Sequence, residues 1–202
     1  MDEARAIRDY WFGSEPFTAA TLEARLGIWF GEPGAPQDEE IRTRFGALVE
    51  RALAGELAGW ADGPRRRLSL ILLLDQFPRN IFRGTARAFE GDRQALALTL
   101  SGMQSAADAA LDVVERMFFY LPLEHAESLD AQDESLAAYR RLLAEAPPEL
   151  HETFAGTLRH AEEHRSIIER FGRFPHRNQV LGRASTPAEE EWLREGGRGF
   201  GQ

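Results

Sequence analysis

Apolar residues recur along almost the whole chain at helical spacing and almost nowhere in the alternation that a strand requires. Val, Ile and Thr are sparse, whereas Ala, Leu, Arg and Glu dominate. The pattern predicts helices over residues 2–12, 19–30, 38–54, 64–77, 92–104, 107–120, 122–145, 148–171 and 187–195. Gly and Pro punctuate the connections GEPGAPQ, GWADGP, FPRNIFRGT, EAPPE and FPHRN. Connections this short favour antiparallel neighbours. The expected fold class is therefore all-α, built of stacked antiparallel helical hairpins in a single compact domain over residues 1–202.

Some boundaries carry their own mechanism. Thr186-Pro187-Ala188-Glu189 reads as a capping box, and Pro122 is expected to open the helix that begins PLEHAESL. Two corners echo each other, DQFPRN at 75–80 and RFGRFPHRN at 170–178, with WFG at 11–13 and 29–31 as a fainter echo. Proline disfavours helical dihedrals in the residue before it, so Phe77 and Phe174 are predicted to end their segments. Arg79 and Arg177 would then meet the orphan carbonyls of the ending helices, and Asn80 and Asn178 would suit the next turn. The two corners are expected to lie close in space, related as repeats and joined by charge pairs centred on Asp75.

The 64–77 segment is apolar almost all round, which predicts a central, buried helix covered by the long 148–171 helix. Asp75 falls in its last turn, where the helix dipole disfavours an anion. It needs a cation, and Arg79, Arg83 and Arg87 are near in sequence, with Arg170, Arg173, Arg177 and Arg183 around the second corner. Other polar residues share apolar faces. His125 and Gln132 fall in a stripe with Leu129, Leu136, Tyr139 and Leu143. His164 lies among Leu150, Phe154, Ala161, Ile167, Ile168 and Phe171, with His160 at the edge of that arc. Glu115 shares a face with Leu111, Val114, Phe118 and Phe119. Glu124 reads as a capping carboxylate and Glu127 as a solvated first-turn acid. One histidine on an apolar face is ordinarily a satisfied core residue. Asp75, Glu115, His125, Gln132 and His164 on four separate helices point instead to an interior polar cluster.

Composition narrows the chemistry. A net charge of −9 and a pI near 5.1 oppose phosphate backbones, so nucleic acid is not an expected partner. Without cysteine there are no disulfides, thiolate nucleophiles or cysteine-type zinc sites. The N-terminus MDEARAIRDYWFG is acidic from its second residue and lacks a signal-peptide pattern. The longest strongly apolar run, Leu68 to Leu74, is broken by Ser69 and falls far short of the ~20 residues of a span. Cytoplasm, with no membrane partner, is the expected address. GxSxG, GxGxxG and GxxxxGK[ST] are absent. His160-x-x-x-His164 has the spacing of two metal ligands, which Glu115 and His125 would complete. Without HExxH, a paired ExxH or an Asp-rich loop, no metal and no cofactor is assigned.

The stretches LSLILLLDQFPRNIFRGTARAFEGD, ERMFFYLPLEHAESLDAQ and AEEHRSIIERFGRFPHRNQVLGRASTPAEE resemble a mainly bacterial family, domain-of-unknown-function family nine hundred and twenty-four. The resemblance covers essentially the whole chain and implies an all-α fold similar to tetratricopeptide-type repeats, an α-α superhelix. It points to Asp75, Gln76, Arg79, Asn80, Arg83 and Arg87, to Glu115, Arg116, Glu124, His125 and Glu127, and to His164, Arg170, Arg173, His176, Arg177, Asn178 and Arg183. His160 is not part of that pattern. Ala126 replaces the serine more usual after the histidine, which removes a hydroxyl nucleophile from that point.

Three function classes follow. In the leading one, Arg79, Asn80, Arg83, Arg87, Gln132, Arg173, His176, Arg177, Asn178 and Arg183 line a groove for an anionic small molecule or an acidic peptide, because guanidinium forks suit carboxylate and phosphate. The rival is a hydrolase-type enzyme with His125 or His164 as general acid/base and Glu115 or Asp75 as orienter. The third treats all of these residues as structural.

Overall fold

Helices form where the periodicity places them, and two of them run further than their prolines suggest. The computed structural model describes residues 2–13, 17–29, 31 and 36–197. Its helices are α1 (Glu3–Phe12), α2 (Ala19–Trp29), α3 (Pro36–Leu53), α4 (Pro64–Ile81), α5 (Asp92–Gln104), α6 (Val113–Glu124), α7 (Leu129–Glu145), α8 (His151–Phe171) and α9 (Pro187–Arg194). Short 3-10 turns link several of them, and no strand occurs among the described residues. Residue 30 of the WFG echo and residues 32–35 of the GEPGAPQ connection lie outside the described residues. No described helix is long and apolar enough to cross a membrane.

α4 is the central helix, as its all-round apolar surface predicts. Every residue from Leu68 to Ile81 is buried, and α1, α3, α5 and α6 pack against it. The expected cover, α8, packs chiefly on α7 instead. An aromatic cluster ties the N-terminal hairpin to this centre. The Phe118 ring meets Trp11 and Phe12 at 5.5 Å and Trp29 at 4.7 Å, and Trp11 meets Phe77 at 5.5 Å.

Neither Pro78 nor Pro122 acts as a helix boundary. Pro78 lies inside α4 and Pro122 inside α6. An internal proline costs about 3 kcal/mol because it leaves the carbonyl four residues back without its donor, so neighbours must compensate. Leu74 holds the carbonyl that Pro78 cannot serve, and Gly91 presses its backbone so close that a Cβ there would collide with that oxygen. On either side of Phe118 O, which Pro122 cannot serve, Thr99 Oγ1 donates to Phe119 O (2.8 Å) and Tyr139 Oη to Met117 O (3.1 Å). α6 also begins later than the predicted residue 107, at the capping box of Asp112 and Glu115. His125 is thus the C-cap of α6 rather than part of one helix with Leu129 and Gln132, and Leu129 is exposed. The Thr186–Glu189 capping box forms as predicted.

The second corner differs from the first. Gly172, at φ 70°, ends α8 in the left-handed conformation, and Pro175–Arg177 forms a 3-10 turn. The two Phe-Pro segments are therefore neighbours rather than repeats.

Candidate functional site

Asp75, fully buried in α4, is the anchor of the polar interior. Its carboxylate accepts from His125 Nδ1 (2.7 Å) and Gln76 Nε2 (2.5 Å), and Arg79 Nη1 lies 3.2 Å away. Burial alone would raise this carboxyl, but Arg79 and His125 outweigh it and hold the group well below the ordinary carboxylate range. A carboxylate only accepts, so Nδ1 of His125 carries the proton and Nε2 of a neutral ring holds a lone pair.

His125 is placed there by the end of α6. Its backbone N–H bonds to Leu121 O, and Gln132 of α7 clamps the α6–α7 turn by donating to Glu124 O (2.6 Å) and Ala126 O (2.9 Å). The second corner docks on the same turn. Glu127 accepts from Phe174 N (2.8 Å) and pairs with Arg183 (2.6 Å), while Arg177 Nη1 donates to His125 O (3.1 Å). Glu127 is thus a structural clamp and not a solvated acid.

The two corners meet, though at Asp92 rather than at Asp75. Arg79 Nη1 stands 2.8 Å from Asp92 Oδ1 and Arg177 Nη1 3.4 Å from Asp92 Oδ2. Both guanidiniums lie over the Phe89 ring, at 5.6 and 4.6 Å. Burial, and then repulsion from Arg79, lowers Arg177 to about 10, so it remains a cation at neutral pH.

A second cluster adjoins the Asp75–His125 pair. Glu124, the last residue of α6, is buried, and its Oε1 lies 2.7 Å from His160 Nδ1 and 3.2 Å from His164 Nδ1. The His164 ring is 6.3 Å from that of His125 and 4.6 Å from that of His160. Burial would raise Glu124, yet the neighbouring imidazoles bring it below its ordinary value, and burial takes His164 down to about 4. Glu124 is therefore not the capping carboxylate expected of it, since its helix ends there instead of starting.

Other expected members lie elsewhere. Glu115 is buried at the opposite end of α6, paired with Arg8 at 2.9 Å, and so orients neither histidine. Asn80 and Arg83 bind Asp38 of α3 (2.8 and 2.9 Å). Arg87 pairs on the surface with Glu50 and Glu90. Arg173 and Asn178 reach Glu189 of α9, and the His176 ring lies tilted against Phe174 with ring centroids 5.6 Å apart. Each arginine expected to line an anion groove thus meets a carboxylate of the chain itself. A surface depression of about 580 Å³, lined by Leu96, Leu100 and Met103 among others, contains none of the histidines.

Asp92, Asp38 and the pairing of Glu124 with two histidines escaped the sequence. Reading Pro122 as internal would have put Glu124 and His125 at a helix end, but no local signal ties Asp92 to Arg177.

The C-terminal corner should be acid-labile. Burial, then Arg177, depresses His176 to about 3, below its ordinary 6.5. Between those values the unfolded chain binds the proton and the native one does not, so stability falls as pH drops from 6.5 towards 3. Arg173 holds Glu189 at about 2 against an ordinary 4.5, adding a loss in the same direction below pH 4.5. Urea midpoints should fall from pH 7.5 to pH 5, and His176→Gln should flatten that part of the profile; equal slopes would refute the assignment.

Comparison with known proteins agrees on the chain's relatives. A structure of a protein of unknown function, ATU0120 from Agrobacterium tumefaciens, is similar with a TM-score of 0.79 and 38% identity, over 95% of this chain and 97% of that one. No curated protein matches. The model of a bacterial protein family of unknown function, DUF924, matches residues 7–197. With the family model spanning nearly the whole chain, and with the helical fold and the motifs around Asp75, His125 and Arg177 in place, this protein belongs to the DUF924 family.

Proposed function

We propose that the chain is a hydrolase-type enzyme in which His125, oriented by Asp75, moves the proton. The observation that carries this reading is the 2.7 Å contact between a fully buried carboxylate and an imidazole whose side chain keeps 11% of its surface exposed. Asp75 fixes the tautomer. Nε2 then takes a proton from a water molecule as its oxygen attacks an acyl or phosphoryl centre, and the imidazolium returns that proton to the leaving group. Arg79 and Gln76 hold Asp75 so that the pair is pre-organised.

The groove for an anionic small molecule or acidic peptide fits this scheme as a substrate preference. The substrate's carboxylate or phosphate would compete with Asp92 for Arg79 and Arg177, which contact Asp75 and the His125 carbonyl respectively. A tetratricopeptide-like superhelix and a cytoplasmic setting belong to the same proposal.

The test is turnover of chromogenic acetate, phosphomonoester and phosphodiester substrates and a fluorogenic amide by wild type and His125→Gln. Wild-type hydrolysis of at least one substrate, reduced about 10²- to 10⁴-fold in the variant at unchanged helicity, is expected. Equal rates in the two proteins across all four substrates would overturn it.

A further inference from the structure

Among the described residues, each buried carboxylate has an arginine partner except one. Asp38 is paired with Arg83, Asp75 with Arg79, Glu115 with Arg8 and Glu189 with Arg173. Glu124, only 1% exposed, meets histidines instead: His160 and His164 in direct contact, with the His125 ring 6.3 Å from that of His164. In a chain with 24 basic residues, all of them arginine, this is a conspicuous departure. An imidazole can serve such a carboxylate by donating one hydrogen bond, but a carboxylate with two imidazoles is also a donor set for a cation.

We infer that Glu124, His160 and His164 form a binding site for one divalent transition-metal ion of the zinc type. One nitrogen of each imidazole and one carboxylate oxygen all lie within 4.8 Å of one another. Bonds of about 2.0–2.2 Å from a common ion hold tetrahedral ligands about 3.4 Å apart, so side-chain adjustments of around an ångström close the set. His160 and His164 are four residues apart on α8, which puts both rings on one face, and Glu124 arrives from the end of α6.

The surroundings support ligation. The backbone carbonyl of His160 only accepts, so a neutral His164 donates Nδ1–H to it (2.9 Å) and keeps the Nε2 lone pair. Anchoring one ring nitrogen to a carbonyl and leaving the other to the metal is how protein imidazoles are commonly oriented as ligands. Two nitrogens and one carboxylate oxygen suit zinc-type ions over calcium or magnesium, which prefer oxygen throughout. The His160 side chain is 43% exposed, so an ion can enter from solvent and a water molecule can occupy the remaining position. This inference does not rest on the Asp75–His125 dyad, although a metal-bound water beside it would supply the nucleophile that the dyad needs.

The experiment is equilibrium titration of Zn²⁺ into the chelator-treated full chain, with competition by a chromogenic chelator. The expected result is one ion per chain, bound at least about 100-fold more weakly by His160→Gln, a larger loss than an outer contact would give. His151→Gln, which changes a histidine at the other end of α8, should bind as wild type does. Because His160 is half-exposed, its variant is expected to fold, and far-UV circular dichroism checks this. Should it not, visible absorption of Co²⁺ added to the wild-type chain is the second measurement, and ligand-field bands at one equivalent support the site while their absence overturns it. No saturable binding, wild-type affinity in His160→Gln, or an equal loss in His151→Gln would also overturn the inference. Since the readout is binding, inactive but zinc-loaded protein would refute the catalytic proposal alone, and active but zinc-blind protein would refute the metal site alone.

Discussion

Asp75→Asn should destabilise the protein by roughly 3–5 kcal/mol, the cost of removing one partner from a buried ion pair. The substitution preserves size and removes the charge; one oxygen can still accept from His125, while the new amide NH2 meets Gln76, whose own amide must turn over to accept from it. Arg79, whose side chain is 8% exposed, would keep Asp92 as its remaining carboxylate, which places the expected loss at the lower end of that range. The effect has a pH signature. Asp75 is ionised in the native state well below the ordinary carboxylate range, so its contribution is complete above about pH 4 and disappears as pH falls further. Urea denaturation of wild type and variant at pH 7 and pH 3 should show the gap narrowing in acid. A loss below about 1 kcal/mol at pH 7 would mean that the Arg79 charge is held by Asp92 alone.

Asp92→Asn should cost about 3 kcal/mol, and Arg177→Met should recover part of it. Asp92 is the carboxylate between two buried guanidiniums, 2.8 Å from Arg79 and 3.4 Å from Arg177. Without it, Arg177 would retain the His125 carbonyl and the faces of Phe89 and Phe174, but no carboxylate in contact, and it would face Arg79 directly. Removing the second positive charge relieves that repulsion. A double-mutant cycle should therefore show coupling of at least about 1 kcal/mol, whereas additivity within about 0.5 kcal/mol would place the junction of the two corners elsewhere. The same pair bears on the proposed substrate preference, because an anionic substrate would have to compete with Asp92.

Asp75 and Arg177 illustrate what can be read from a chain of this kind. A carboxylate in an all-apolar helix demands a cation, even though α4 runs on to Ile81 and leaves Asp75 short of its last turn, and two arginine-rich corners of similar sequence invite the thought that they meet. Both expectations hold in outline. Their precise partners do not, because Asp92 sits 85 residues from Arg177 and looks like an ordinary first-turn acid of α5. Glu115 shows the converse. Its place among Leu111, Val114 and Phe118 correctly marks it as buried, but burial at the wrong end of α6 sets it beside Arg8 and away from the histidines.

Local sequence determined the helical class, the identity of the central helix, the Thr186–Glu189 capping box and most of the inward-facing positions, because periodicity, side-chain propensity and caps act within a few residues. The folded molecule decided the continuation of α4 and α6 through Pro78 and Pro122, the distribution of carboxylates among the arginines, and the union of Glu124 with His160 and His164. Those outcomes involve groups distant in the chain: Gly91 against Leu74, Thr99 and Tyr139 bonded to carbonyls one turn before Pro122, and α8 laid over the end of α6. A proline need not stop a helix whose other bonds and packing outweigh the one it removes, and a buried charge takes whichever counter-charge packing brings to it.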